Sequence, residues 1–592
     1  MALIPLPVFN GPPTDDAGLS AETMIPDLLR RRPEARAVLD RYGLRGCGGP
    51  DGPYETLGFF ARAHGVDQGR LLRELAEALG RGEVVMGASR DETTLLADTI
   101  YRRFFLGGIV IALTAGATWG AWLLWRIGLS GTFLVNPLQT VNAHGMAQIS
   151  GWMGLFIMGF ACQAFPRIWH ASLAAPRLAA AVFAMMVGGI VAQAVGMLAP
   201  SVPLAMLGAG LQLVAVAAFS AQIATTYRRS EARFEPYIAF IMAALGWFLA
   251  STVMSGWHTW TTMTAEGEAA QVWYVATYQF PLRDLQVHGL ALFMILGVSI
   301  RFIPALFGAP KVDDRRAWGA FGILVAAVLA EVGIFLAYRW TGDHAIARLL
   351  PVSWAMLAIG SAMVVVPWRP WRPFPETDRV AKFVRTAYGW LAISLAMLLL
   401  LPAYAAASGI PFSHAYYGAI RHAVTVGFVS QMIMGFAAKV VPTLNGVDPR
   451  RLTRLWGPYL LINAGCALRV TSQTLTDWAA PAYAVIGLSG TMEVVALAWW
   501  GAGLASLMLR GVGAAEEGIG PAPERIAGDH HPADVLDWFP ETAPVFDRFG
   551  LDGLRRPILR RTVGRRATLA QAARMRGIAL EELTGALNEA RR

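Results

Sequence analysis

Residues 104–127 read FFLGGIVIALTAGATWGAWLLWRI, with a single charge, Arg126, close to the far end. A helix rises about 1.5 Å per residue, so about 20 such residues cross a hydrocarbon layer of roughly 30 Å. The stretch is therefore a membrane-spanning helix, and it is the first of a series. Similar apolar runs follow at 139–166, 176–199, 202–226, 236–258, 283–305, 317–340, 347–367, 386–408, 415–442, 455–475 and 481–510. Proline, glycine and charge separate them, as at Pro200-Ser201-Val202-Pro203 and Pro367-Trp368-Arg369-Pro370. The pattern predicts an all-α fold, a polytopic membrane bundle of about 12 transmembrane helices.

Composition agrees with this. The chain is 55% hydrophobic and only 15% charged, a balance that excludes a soluble surface and makes the lipid bilayer its main solvent. Charge concentrates in the tails and short loops. The first hundred residues are polar, so no cleaved signal peptide is expected. The three cysteines, Cys47, Cys162 and Cys466, are too scattered for a disulfide framework or a thiolate metal site, and free thiols are expected.

Lysine and arginine in the loops set the orientation, because cytoplasmic loops retain them. One alternating set of loops holds Arg102 and Arg103, Arg167 and Arg177, Arg228 to Arg233, Lys311 to Arg316, Arg369 to Arg385, and Arg450 to Arg454. The other set is nearly bare, and 259–282 is expected to be an outer loop carrying Glu266 and Glu268. Both termini are therefore expected in the cytoplasm. The net charge of +9 follows from this bias and calls for no nucleic acid.

The tails repeat one another. Residues 26–44 hold Pro-Asp-Leu-Leu and then Pro-Glu-Ala-Arg-Ala-Val-Leu-Asp-Arg-Tyr-Gly-Leu, while 533–551 hold Ala-Asp-Val-Leu and then Pro-Glu-Thr-Ala-Pro-Val-Phe-Asp-Arg-Phe-Gly-Leu. Each continues through Thr-Leu into an amphipathic stretch, predicting two small helical soluble modules. The expected organisation is a cytoplasmic module at 20–82, a membrane domain at 100–510, a linker at 511–527 and a second module at 528–592.

Histidines are unevenly placed. Given that orientation, six of the seven in the membrane region (His144, His258, His288, His344, His414 and His422) fall toward the outer face, and only His170 lies inside. Imidazoles converging from several helices are the usual way a bundle holds haem iron or copper, although one interfacial histidine needs no metal. Three of them head a common pattern. His144-Gly145-Met146 leads through Met158-Gly159-Phe160 to Pro166, His288-Gly289-Leu290 through Gly297 to Arg301-Phe302-Ile303-Pro304, and His422-Ala423-Val424 through Met434-Gly435-Phe436 to Pro442. Glu331 and Glu493 are ionisable groups inside apolar runs, candidates for a proton path or for structural pairing with Arg469 or Arg339.

Those three segments, from Asn142-Ala143-His144 to Phe165-Pro166, from His288 to Pro304, and from Arg421-His422 to Asn445-Gly446, resemble the NnrS family of haem- and copper-containing membrane proteins over roughly residues 100–510. More distantly they resemble the central subunit of haem-copper oxidases and nitric oxide reductases. The resemblance implies a bacterial inner-membrane protein that binds a b-type haem and copper and acts in nitric oxide metabolism or nitrosative-stress protection. It makes His144, His288 and His422 the first metal candidates, with His258 and His414 next, and sets Arg421 beside a haem propionate. Of these, His144 and His422 are the expected haem ligands, and His288 and His258 those of copper or a second haem. Nitric oxide or another small diatomic is the implied ligand, with a quinol or electron-donor protein as a further partner. The chain departs from the usual patterns at Asn142, where the family carries a histidine, and at Ile420, where the reductases carry another. A quinol-linked nitric oxide or oxygen reductase, and a non-catalytic transporter or sensor, are the alternative readings. The two tail modules resemble the small domain of unknown function found at the N-terminus of iron–sulfur cluster repair proteins, with Cys47 following the turn only in the first copy.

Overall fold

The computed structural model describes residues 19–49, 51–81, 92–376, 378–449, 452–510, 523–555, 564 and 567–591. Most of the expected linker, to residue 522, lies outside them. Four short helices come first: α1 (Ile25–Arg31), α2 (Ala35–Leu39), α3 (Leu57–His64) and α4 (Gln68–Arg81). At the other end α17 (Pro532–Trp538), α18 (Ala543–Arg548), α19 (Leu569–Arg576) and α20 (Leu580–Ala590) follow the same order. The repeat is physical. Thr56 and Thr568 each cap a helix by accepting from a backbone N–H three residues on, and Gly65 and Gly577 end those helices at φ 70° and 67°. Leu28, Leu39, Leu57 and Leu75 fill one core as Val535, Phe546, Leu569 and Leu587 fill the other.

Between them, among the described residues, lie ten helices long and apolar enough to cross a membrane: α5 (Leu95–Ser130), α6 (Leu138–Ile168), α7 (Pro176–Leu198), α8 (Val202–Arg228), α9 (Pro236–Met263), α10 (Glu268–Phe307), α11 (Asp314–Thr341), α12 (His344–Trp368), α14 (His414–Leu444) and α16 (Ala480–Arg510). An eleventh, α13, is two pieces, Ala381–Leu399 and Leu401–Ser408, bent by 55° where Pro402 breaks the ladder. The twelfth, α15 (Trp456–Leu475), is a continuous helix whose Asn463, Arg469 and Gln473 make it too polar to be counted with the others. The chain is thus a multi-pass membrane protein. The loop expected at 259–282 is largely helix, because α9 runs on to Met263 and α10 starts at Glu268, leaving four residues between them.

Burial ranks the helices. The most apolar window of α6, of α10 and of α14 is 72% buried within the protein, against 28–44% for the other seven of these ten spans. These three are the helices headed by His144, His288 and His422. They run side by side in one direction, since Phe160, Phe302 and Phe436, each near its helix's terminal proline, pack together with ring centroids 5.9–6.4 Å apart. The remaining spans ring this trio and meet the lipid.

The chain divides into two compact units, residues 1–509 and 510–592. Within the first, α1 to α4 sit against the proline end of the central trio. Arg301 donates to the Ala63 carbonyl at 2.9 Å, Arg167 Nε to Cys47 Sγ at 3.2 Å, and Gly48 N to the Leu444 carbonyl at 3.2 Å, while Arg62 and Glu376 pair at 2.7 Å.

Candidate functional site

Each central helix is locally wound as a π-helix at its histidine end. The π segments are Ala147–Gly154 after His144, Leu285–Ala291 around His288, and Ala423–Ser430 after His422. A π turn adds a residue to the helical circuit and loosens the backbone ladder, and such turns concentrate at functional sites. A fourth, Ala112–Gly116, lies in α5. There Gly116 has ψ −111°, which turns its carbonyl off the ladder and toward His144.

His144 Nδ1 lies 3.0 Å from that Gly116 carbonyl, and His422 Nδ1 lies 2.8 Å from the carbonyl of Gly418. A ring nitrogen facing a carbonyl must carry the proton, so in both residues Nε2 is left with its lone pair. This is the tautomer a metal needs. The two imidazoles are within electrostatic reach of one another, and Arg283, Arg421 and Arg469 surround them. Helix α5 fits tightly here, since a Cβ on Gly120 would stand 2.6 Å from His144 Cε1. Arg469 is 4% exposed with Nε and Nη1 unpartnered among the described residues, and Arg421 Nη2 is unpartnered too. Glu493 faces Arg469 with Oε1 also free, so its tie to Arg469 is electrostatic rather than a hydrogen bond.

A second cluster forms around His288. Its Nδ1 is 2.8 Å from Glu331 Oε2, and Asp284, one turn earlier in α10, completes a set whose ligand atoms lie within 4.8 Å of one another. All three residues are buried, and the group could hold a metal ion. Glu331 therefore pairs with neither of the arginines considered from sequence: Arg339 bonds Thr277 at 3.4 Å, and Arg469 faces Glu493. Arg421 lies over the Phe280 and Tyr417 rings, at 4.8 and 5.6 Å, within electrostatic reach of Asp284.

The other candidates stand apart. His258 is buried with Nε2 unpartnered and joins no cluster of potential ligands among the described residues. His414 is exposed, edge-on to Phe412 at 4.9 Å, and His344 packs on Tyr338. His170, at the opposite end of α6, bonds the His64 carbonyl. Sequence reasoning missed Asp284 and Arg283. The signal for Asp284 was its spacing, four residues before His288 on one helical face.

Residues 533–584 match a domain of unknown function (DUF1858), which covers the second terminal module. No curated protein matches the chain. Residues 96–511, the whole bundle from α5 to the end of α16, match the NnrS protein, and the chain belongs to the NnrS family.

Proposed function

We propose that this protein is a haem-binding NnrS protein of the bacterial inner membrane that acts on nitric oxide or counters its damage, with His144 and His422 as the haem ligands. Family membership supports a role in nitric oxide-related metabolism or response. The observation that carries the haem assignment is the shared geometry of the two imidazoles, each with Nδ1 anchored to a backbone carbonyl and Nε2 free, on neighbouring central helices.

The surrounding residues fit a haem. A buried guanidinium without a partner is expensive in a membrane interior, and Arg469 and Arg421 present nitrogens suited to the two carboxylates of a b-type haem. Bound haem would supply redox chemistry, and a diatomic ligand would reach its iron only by displacing one of the two imidazoles. The chain's part is to fix both rings by their carbonyl bonds, to hold positive charge over the carboxylates, and to exclude water. Copper fits less well. Of its two expected ligands, His288 is bonded to Glu331 with Asp284 close by, and His258 lies outside that set, so the donors are oxygen-rich and lack the soft groups copper(I) prefers.

The test is optical. His144→Ala and His422→Ala in the purified full-length protein should each lower haem content or convert its spectrum, and His170→Ala should do neither. Unchanged spectra in both of the first two variants would remove the assignment.

A further inference from the structure

Two carboxylates and an imidazole meet deep in the bundle without enough positive charge to balance them. Asp284 is 9% exposed, His288 9% and Glu331 2%. Glu331 is anomalous for its helix, since the apolar window of α11 is only 28% buried and most of that helix faces outward. The carboxylate nevertheless turns inward, onto His288 at 2.8 Å. Among the described residues neither acid has an arginine or lysine within ion-pair distance. The nearest cation, Arg421, is spread over two aromatic rings instead.

An uncompensated buried carboxylate costs several kcal/mol, and two side by side repel as well. His288, even when protonated, balances one of them. A divalent cation would balance both. The geometry has the form of a ligand set: Asp284 and His288 are spaced i, i+4 on one face of α10, in and beside a π segment, and Glu331 comes from the neighbouring α11. We propose that Asp284, His288 and Glu331 form a non-haem metal site for a divalent first-row cation of the iron, manganese or zinc class.

The donors decide the class. One imidazole with two carboxylates and no thiolate or thioether suits these borderline-to-hard ions and not copper(I). Three protein ligands leave further coordination positions for water or a small ligand. The site is linked to the haem candidate His422, because Arg421 directly precedes His422 and its charge reaches Asp284. It does not depend on that candidate, since its ligands are a separate set.

The test uses purified full-length protein, stripped with a chelator and titrated separately with Fe²⁺, Mn²⁺, Zn²⁺ and Cu⁺, with elemental analysis after desalting and electron paramagnetic resonance for the Mn²⁺ arm. The wild type should retain an equimolar amount of at least one of the first three ions. Asp284→Asn and Glu331→Gln should each weaken that binding at least about tenfold, a loss that even outer-shell changes produce, while haem content and melting temperature stay at the wild-type level. If both variants misfold, the wild-type titration alone decides. Retention of copper only, or of no ion at all, overturns the proposal and leaves a proton-sharing cluster in its place. A wild type that binds the divalent ion yet carries no haem would sink the haem assignment and leave this site standing.

Discussion

Trp152 Nε1 donates to Ser430 Oγ at 3.0 Å, a buried side-chain bond that joins the π segment following His144 to the π segment following His422. Ser430 in turn donates to the Thr425 carbonyl at 2.9 Å, five residues back within the same π segment. The irregular windings of α6 and α14 are thus coupled through one indole and one hydroxyl. Whatever fixes the register of these two helices also fixes the relative placement of the two histidines.

Ser430→Ala should therefore destabilise the bundle and loosen that register. It leaves a buried indole N–H without an acceptor, at a cost of about 1–3 kcal/mol. The expected result is a lower melting temperature in detergent together with a shifted haem spectrum, whereas Ser506→Ala, at an exposed hydroxyl bonded within its own helix, should leave both alone. Equal behaviour of the two variants would show that the Trp152 link carries nothing.

The central trio was legible in sequence because its signal is local: a histidine, small residues in mid-helix and a closing proline recur at 144–166, 288–304 and 422–442. The π segments were not legible, since a helix wound with one extra residue keeps the same apolar composition. Glu331 was visible as an anomaly, but its partner was not, because His288 is 43 residues away and only packing brings α10 and α11 together. Asp284 was hidden by the boundary drawn at residue 283, where Arg283 and Asp284 look like a loop edge. The structure instead carries α10 back to Glu268, with Pro281 and both charges inside it. At 455–475 the sequence predicts one more apolar run, and the helix is there as α15, but Asn463, Arg469 and Gln473 make it more polar than the other spans.

Gly120 tests the seat of His144. A methyl there would stand 2.6 Å from the imidazole, closer than any real contact, and the ring would have to leave its carbonyl bond to Gly116. Gly120→Ala should lower haem content by about as much as loss of the ligand itself. The control is Gly188→Ala, within the membrane span α7, where an added methyl meets nothing within 4 Å. Normal haem in Gly120→Ala would mean that the ring does not need this seat.

Acid should loosen the first terminal module from the bundle. Burial holds the His64 imidazole down to about 3, with neighbouring His170, Arg301 and Arg167 adding to the effect, against an ordinary value of 6.5. The undocked module takes up a proton near 6.5 and the docked one does not, so docking is at full strength above that pH and weakens as pH falls from about 6.5 toward 3. Buried Glu55 acts with the opposite sign, because its carboxyl is pushed up and acid relieves the penalty of its charge. Comparison with His64→Gln isolates the histidine. Hydrogen exchange over residues 56–66 should rise between pH 7.5 and pH 5 in the wild type, and rise less in the variant; parallel profiles would remove His64 from the balance.

Orientation can be argued again from the observed helix ends. The loops 131–137, 199–201, 264–267, 342–343, 409–413 and 476–479 contain no lysine or arginine. Those that alternate with them contain Arg229 and Arg233, then Lys311, then Arg369, Arg372 and Arg379, then Arg450, Arg451 and Arg454, while the loop at 169–175 is flanked by Arg167 and Arg177. The alternation holds without a break only if the bent α13 and the polar α15 each cross the membrane once. Cationic loops stay in the cytoplasm, so the expected arrangement places both termini there, with His144, His288 and His422 toward the outer face. Reporter fusions at residues 265, 410 and 478 should report the outer compartment, and a fusion after Arg510 the cytoplasm. The decisive site is 478. If α15 failed to cross, a reporter there would share the compartment of the loop at 445–455 and the C-terminus would change sides, while the common depth of the three histidines, set by helices that precede α15, would stand.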